Sequence, residues 1–243
     1  MSDYGGMTST APSKSTLRQQ VWSRLEAAGV VPSDVAGRIP DFDGAERAAE
    51  LLAALDVWRT ARVIKAVPDR PLLPVRIRAL EDGKLVYMAA PKLATERPFY
   101  KLDPAVLTVS PQEAAIREVI EATAPTVDVS EMPRIDLVVV GSVAVNAQGA
   151  RLGKGAGYAD LEVALLIEAG LITERTTIAT TVHELQVLDE GFPELPHDFR
   201  VDLIVTPERV IHCGQPKRPA GIEWASLTPE QTTKIPVLAR RAR

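Results

Sequence analysis

Residues 134–170 read RIDLVVVGSVAVNAQGARLGKGAGYADLEVALLIEAG. The stretch opens as an apolar, β-branched run over 135–145, which predicts a buried strand. It continues through a loop with glycines at 153, 155 and 157 beside Arg151 and Lys154, and closes as a long apolar helix pattern over 158–170. A strand, a glycine loop and a helix in that order make a polyphosphate site. The glycines let main-chain amides approach an anion, and the helix beginning at Tyr158 adds the positive end of its dipole. Arg151 and Lys154 supply countercharge, and Asp160 stands where a divalent metal would meet the phosphates. Nucleotide binding is the leading expectation, set against a glycine loop that only permits a tight turn.

Two familiar phosphate loops fit poorly. A Walker loop needs Gly-Lys followed by Ser or Thr, whereas Lys154 is followed by Gly155, Ala156 and Gly157. A dinucleotide fingerprint puts its glycines at the strand end, but here residues 146–151 intervene. Glu184, after the next expected strand, remains open as a ribose-binding acid.

Working outward, the pattern alternates. Ser13 caps a helix carrying Leu17, Val21 and Leu25 with Trp22 beside them, ending at Gly29. Helices follow at 44–55, 74–82 and 111–122, and strands at 63–67, 85–90, 176–182 and 201–205, with a hairpin return at 209–213. Strands separated by helices predict an α/β fold, a mostly parallel sheet with helices on both faces in three α/β/α layers. The glycine loop then falls at the carboxyl edge of the sheet. The expected division is a lead-in over 1–12, one domain over 13–214 and a Pro-rich tail over 215–243 packed on the surface.

Composition narrows the function. The chain has 243 residues, a formal charge of -4 and 5% aromatic residues, so no general basic field invites nucleic acid. One cysteine, Cys213, cannot form an internal disulfide, no N-terminal run has the form of a secretory signal, and no apolar run is long enough for a bilayer. A cytoplasmic protein acting on a small molecule, monomeric or homodimeric, with no nucleic-acid or membrane partner, is expected. His183, His212 and Cys213 show no metal-ligand spacing.

Three segments carry a resemblance to a known family. Arg151-Leu152-Gly153-Lys154-Gly155-Ala156-Gly157-Tyr158-Ala159-Asp160 resembles the Arg-Leu-Gly-x-Gly-x-Gly-Tyr-Tyr-Asp signature of the 5-formyltetrahydrofolate cyclo-ligases. Lys14-Ser15-Thr16-Leu17-Arg18 is similar to that family's Lys-x-x-Leu-Arg, and Gln186 with His197-Asp198-Phe199-Arg200-Val201-Asp202 is similar to its closing segments. Ala before Asp160, with Arg38-Ile39-Pro40 and Trp22, resembles the branch of methenyltetrahydrofolate-synthetase-domain proteins.

The resemblance implies a magnesium- and ATP-dependent conversion of 5-formyltetrahydrofolate to 5,10-methenyltetrahydrofolate, with release of ADP and phosphate. It implies that Lys14, Arg18, Arg151 and Lys154 contact nucleotide phosphates and that Gly153, Gly155, Ala156 and Gly157 cradle them. Asp160 and Asp198 would hold Mg2+, Tyr158 would touch the reduced folate, and Lys154, Tyr158 and Arg151 form the catalytic set. Each has a plainer rival: Lys14 and Arg18 as a solvated face, Asp160 as a helix cap, His197 and Asp198 as a turn, Tyr158 as packing. Departures gather on the substrate side. Ala159 replaces the signature's second tyrosine, Leu161 stands where a basic residue is common, and Pro68-Asp69-Arg70-Pro71 offers no evident pterin-binding glutamate. These leave a second expectation open, a paralogue that binds nucleotide without turnover.

Overall fold

The computed structural model describes residues 12–214 and 216–241; the expected lead-in falls almost wholly outside them. Helix α1 (Lys14–Ala27) begins where the Ser13 side chain accepts from the Thr16 amide. Then come α2 (Ala45–Ala53), α3 (Asp56–Thr60), β1 (Val63–Ala66), α4 (Leu73–Glu81), β2 (Leu85–Ala89), β3 (Phe99–Leu102), α5 (Pro111–Ala114), α6 (Arg117–Thr123) and β4 (Thr126–Val127). The second half holds β5 (Leu137–Val140), β6 (Ala144–Asn146), β7 (Arg151–Leu152), α7 (Tyr158–Glu168), β8 (Thr177–Thr181), β9 (Val187–Leu188), β10 (Leu203–Val205), β11 (Val210–His212), α8 (Pro229–Lys234) and α9 (Pro236–Arg241).

The large sheet runs β11-β10-β8-β5-β1-β2-β3-β4. Its centre, from β10 through β2, is parallel, and β11, β3 and β4 pair antiparallel at the margins. Period-two alternation divides the core. Val138 and Val140 face a layer built on α7, while Leu137 and Val139 face one built on α2 and α4. The expected α/β fold with helices on both faces is what the chain adopts. Ile235, Val237 and Leu238 of the tail are buried in the α7 layer.

Two predicted elements need correction. The strand expected over 135–145 is split: β5 ends at Val140 and β6 joins a separate small sheet, order β7-β6-β9. Gly141 makes the break possible, because a Cβ there would lie 3.0 Å from Ile39. The crossing is then fixed by Gln186, whose Nε2 donates to the Ser142 and Val143 carbonyls. The helix expected over 111–122 is likewise two helices, with Ile116 extended between them. The residues that seemed to separate strand from glycine loop are the β6–β7 hairpin, closed at Gly149 with φ +87°. Helix α1 packs Leu17, Val21, Trp22 and Leu25 onto this small sheet. No helix among the described residues is long and apolar enough to cross a membrane.

Candidate functional site

The chain order changes direction in the sheet at β1, which has β2 on one side and β5 on the other. Ligands in open α/β sheets bind at such a switch point, outside the carboxyl ends of the strands. There the residues following β1 and β5, Val67, Asp69 and Gly141, line a cavity of about 230 Å3. The same cavity is lined by Lys14, Arg18, Arg151, Gly153, Lys154, Gly155, Ala156, Gly157, Tyr158, Asp160 and Asp198. Every residue that the family resemblance assigned to the site therefore lines this cavity, drawn from α1, β7, the glycine loop, the start of α7 and the segment before β10.

The loop has a backbone that only glycine accommodates well. Gly155 and Gly157 have φ of +105° and +73°, a region L side chains rarely adopt, and Gly157 is the N-cap of α7 with no side chain capping it. The uncapped start of α7, with Tyr158, Ala159 and Asp160, thus lines the cavity, and a helix N-terminus favours an anion. Around Gly153, a Cβ would come within 3.0 Å of the Arg151 guanidinium.

Each cation has a partner. Arg151, its side chain 1% exposed, donates to the Gly141 carbonyl at 3.0 Å and to Asp160 at 3.1 Å, lies 4.5 Å from the centre of the Phe199 ring, and leaves its buried Nε without a partner. Arg18 donates to the Gly153 carbonyl at 2.6 Å. Burial, reinforced by the charge of Arg151, lowers its pKa. Lys14 pairs with Asp198, which also accepts from the Leu195 amide at 2.5 Å. Lys154 is half exposed and reaches Asp69 at 3.1 Å.

The plainer rivals can now be weighed. Lys14 and Arg18 do not form a merely solvated face, and Asp160 pairs with Arg151 instead of capping α7. Tyr158 both lines the cavity and packs against the core. His197 lines the cavity 3.9 Å from Asp198. Glu184 does not line this cavity and pairs with Arg209 in a single 3-10 turn. Sequence reading passed over Asp69 as an acid of the cavity; its one signal was its place directly after the first parallel strand.

Asp69, Ile39 and Lys154 also line a second, larger cavity of about 690 Å3, which reaches toward α4 and the α5–α6 junction. The two cavities thus share these residues in their walls. No group of three or more His, Cys, Asp or Glu among the described residues forms a ready metal cluster. Magnesium does not need one: it commonly binds through one or two carboxylates with phosphates and water, a role the paired Asp160 and Asp198 fit.

The model of the 5-formyltetrahydrofolate cyclo-ligase family matches residues 10–207. This chain belongs to that family. Among curated relatives, the methenyltetrahydrofolate synthase domain-containing proteins of Mus musculus and Bos taurus are 40% and 39% identical, over 95% and 93% of this chain. The chain spans only 63% and 61% of those two family members. A solved structure of the family fold, that of Aquifex aeolicus 5,10-methenyltetrahydrofolate synthetase, matches with TM-score 0.53 at 20% identity, covering 88% of this chain and 99% of that one.

Proposed function

We propose that this chain is an ATP- and magnesium-dependent enzyme of the cyclo-ligase type, acting on 5-formyltetrahydrofolate or a related formylated small molecule. The observation that supports the reading is that two cavities share wall residues: a small cationic one suited to phosphates and a large one suited to an organic substrate have Ile39, Asp69 and Lys154 in common. Phosphoryl transfer asks the protein for position and charge neutralisation, not for a protein nucleophile. When bound, magnesium would be held by Asp160 and Asp198 and would neutralise charge on the triphosphate.

The chain's own residues divide the work. The amides of Gly153, Gly155 and Gly157 receive phosphate oxygens, with Arg18 bracing the loop through the Gly153 carbonyl. Arg151, Lys14 and Lys154 exchange their carboxylate partners for phosphate oxygens. Lys154, exposed and in the walls of both cavities, is the cation placed to follow charge as it moves between the two ligands. Tyr158 faces the reacting formyl group from the first turn of α7.

A second reading, nucleotide binding without turnover, is favoured by one specific observation: the larger cavity has no aromatic residue in its lining to stack on a pterin. One assay separates the two. Formation of methenyltetrahydrofolate from 5-formyltetrahydrofolate with ATP and magnesium, followed by its absorbance, is expected for the wild type and strongly reduced in Lys154→Ala. ATP binding by calorimetry with no product supports the second reading; absence of both overturns the first and the second alike.

A further inference from the structure

Arg76 belongs to neither the cyclo-ligase signature nor the phosphate cradle. It projects from α4 with 1% relative exposure and lines the larger cavity. An arginine carries five N–H donors and no acceptor. Nε donates to the Ala115 carbonyl at 3.0 Å, and Nη1 to the carbonyls of Val67 at 2.7 Å and Asp69 at 3.1 Å. Among the described residues Nη2 donates to nothing. It is also absent from the fully sealed, unpaired polar atoms, so it keeps some accessible surface although the residue as a whole is buried.

The charge is as unusual as the geometry. The other cations lining that cavity each have a carboxylate: Arg38 with Asp34, Arg70 with Asp41, Arg117 with Glu121 and Lys154 with Asp69. Arg76 forms no ion pair among the described residues. Burial lowers its pKa to about 10, with Asp69 and Glu118 opposing the fall, so it remains a cation at neutral pH. Removing a charge from water is costly unless it gains a partner, and neutral carbonyls satisfy only part of this one. A purely structural role, tying α4 to the ends of β1 and α5, uses Nε and Nη1 and leaves Nη2 unexplained.

We propose that Nη2 of Arg76 recognises an oxyanion, a carboxylate or phosphate group, on a small molecule held in the 690 Å3 cavity, distinct from the triphosphate site. The volume lies within the usual range for a small-molecule pocket. The guanidinium is already oriented and desolvated, so the ligand meets a fixed donor. This assignment stands whether or not the glycine loop binds nucleotide, because Arg76 does not line the smaller cavity.

The test uses the whole chain with glutarate and inorganic phosphate as separate probes and sodium chloride at matched ionic strength as control. Guanidinium resonances of Arg76, assigned by comparison with Arg76→Lys, are followed by 15N-edited NMR, and affinity is measured by calorimetry. The expected result is a saturable shift of the Arg76 signals with at least one probe, not with chloride, and at least tenfold weaker binding in Arg76→Lys, which keeps the charge but loses the planar fork. The glutarate and phosphate arms tell a carboxylate ligand from a phosphorylated one. Signals that stay fixed at 20-fold excess of both probes overturn the proposal; if the variant fails to fold, the absence of any saturable heat when either probe is titrated into the wild type overturns it, since calorimetry needs no assignment. So does unchanged affinity in a folded Arg76→Lys. Competition by ATP that removes the Arg76 shift would assign the anion to the phosphate loop instead and also overturn it, whereas failure of ATP to bind at all counts only against the nucleotide reading.

Discussion

Lys65 sits in the middle of β1, its side chain fully buried, and pairs across to Glu162 of α7, whose side chain is 10% exposed. The substitution Glu162→Gln preserves size but strands an ammonium group between the sheet and the helix that opens on the phosphate cavity. Breaking one half of a buried pair costs about 3–5 kcal/mol, because the remaining charge is left desolvated. For a chain of 243 residues, in the size range where each kcal/mol moves the midpoint by about 2–4 °C, Tm should fall by roughly 6–20 °C. That is a large part of the 5–15 kcal/mol typical of folded stability. Urea unfolding followed by far-UV circular dichroism gives the free energy, and an unchanged slope with denaturant confirms that the folded state is still the reference. The double substitution Lys65→Met with Glu162→Leu removes both charges and should recover most of the loss. As a contrast, Arg47→Ala breaks the Arg47–Glu50 pair, 59% and 61% exposed, and should change stability by less than about 1 kcal/mol. The reasoning fails if Glu162→Gln lies within about 1 kcal/mol of wild type, or if the double variant is as unstable as the single one.

If Lys154 contacts phosphate as proposed, Lys154→Ala removes a charge-assisted contact worth about 1.5–3 kcal/mol, so calorimetry should find ATP bound roughly 10- to 100-fold more weakly with stability little changed; equal affinity would remove Lys154 from the site. Gly149→Ala places a Cβ 2.2 Å from the Val201 carbonyl at φ +87° and should destabilise by more than about 2 kcal/mol in urea, the left-handed backbone alone accounting for about 1–2. A melting curve matching wild type would refute that. Burial, with help from Asp202, raises the pKa of the Cys213 thiol to about 11, so at pH 8 it should be alkylated by iodoacetamide roughly 100-fold more slowly than an unperturbed thiol. Rapid labelling of the native protein would contradict this.

The parts of the fold most legible in sequence were those with uninterrupted periodicity. The apolar stripe of α1 and the sealed run of α7 announced themselves, and the glycines between β7 and α7 are spaced as the left-handed turns require. The run over 135–145 misled because period-two alternation continues through the point where the chain changes sheets; only Gly141 marks the break, and its meaning depends on Ile39, distant in sequence. Asp69 and Arg76 were missed for related reasons. Asp69 gains its role only when β1 and β5 are neighbours. Arg76 lies on the buried stripe of α4 with Val75, Ala79 and Leu80, and Lys65 interrupts an otherwise apolar strand. A charged residue at a position whose period demands an apolar one was the available signal in both cases, and it points to burial with a partner or with a task.

The internal pairing of cations and acids around the small cavity has a thermodynamic result. With Lys14, Arg151 and Lys154 matched to Asp198, Asp160 and Asp69, these charges compensate one another within the protein. A polyanion that draws the cations to itself releases their carboxylates, and those are the groups suited to a divalent ion. Nucleotide and magnesium should therefore enter as interdependent ligands, each raising the affinity for the other by the same factor, while either one alone must compete with the protein's own counterions.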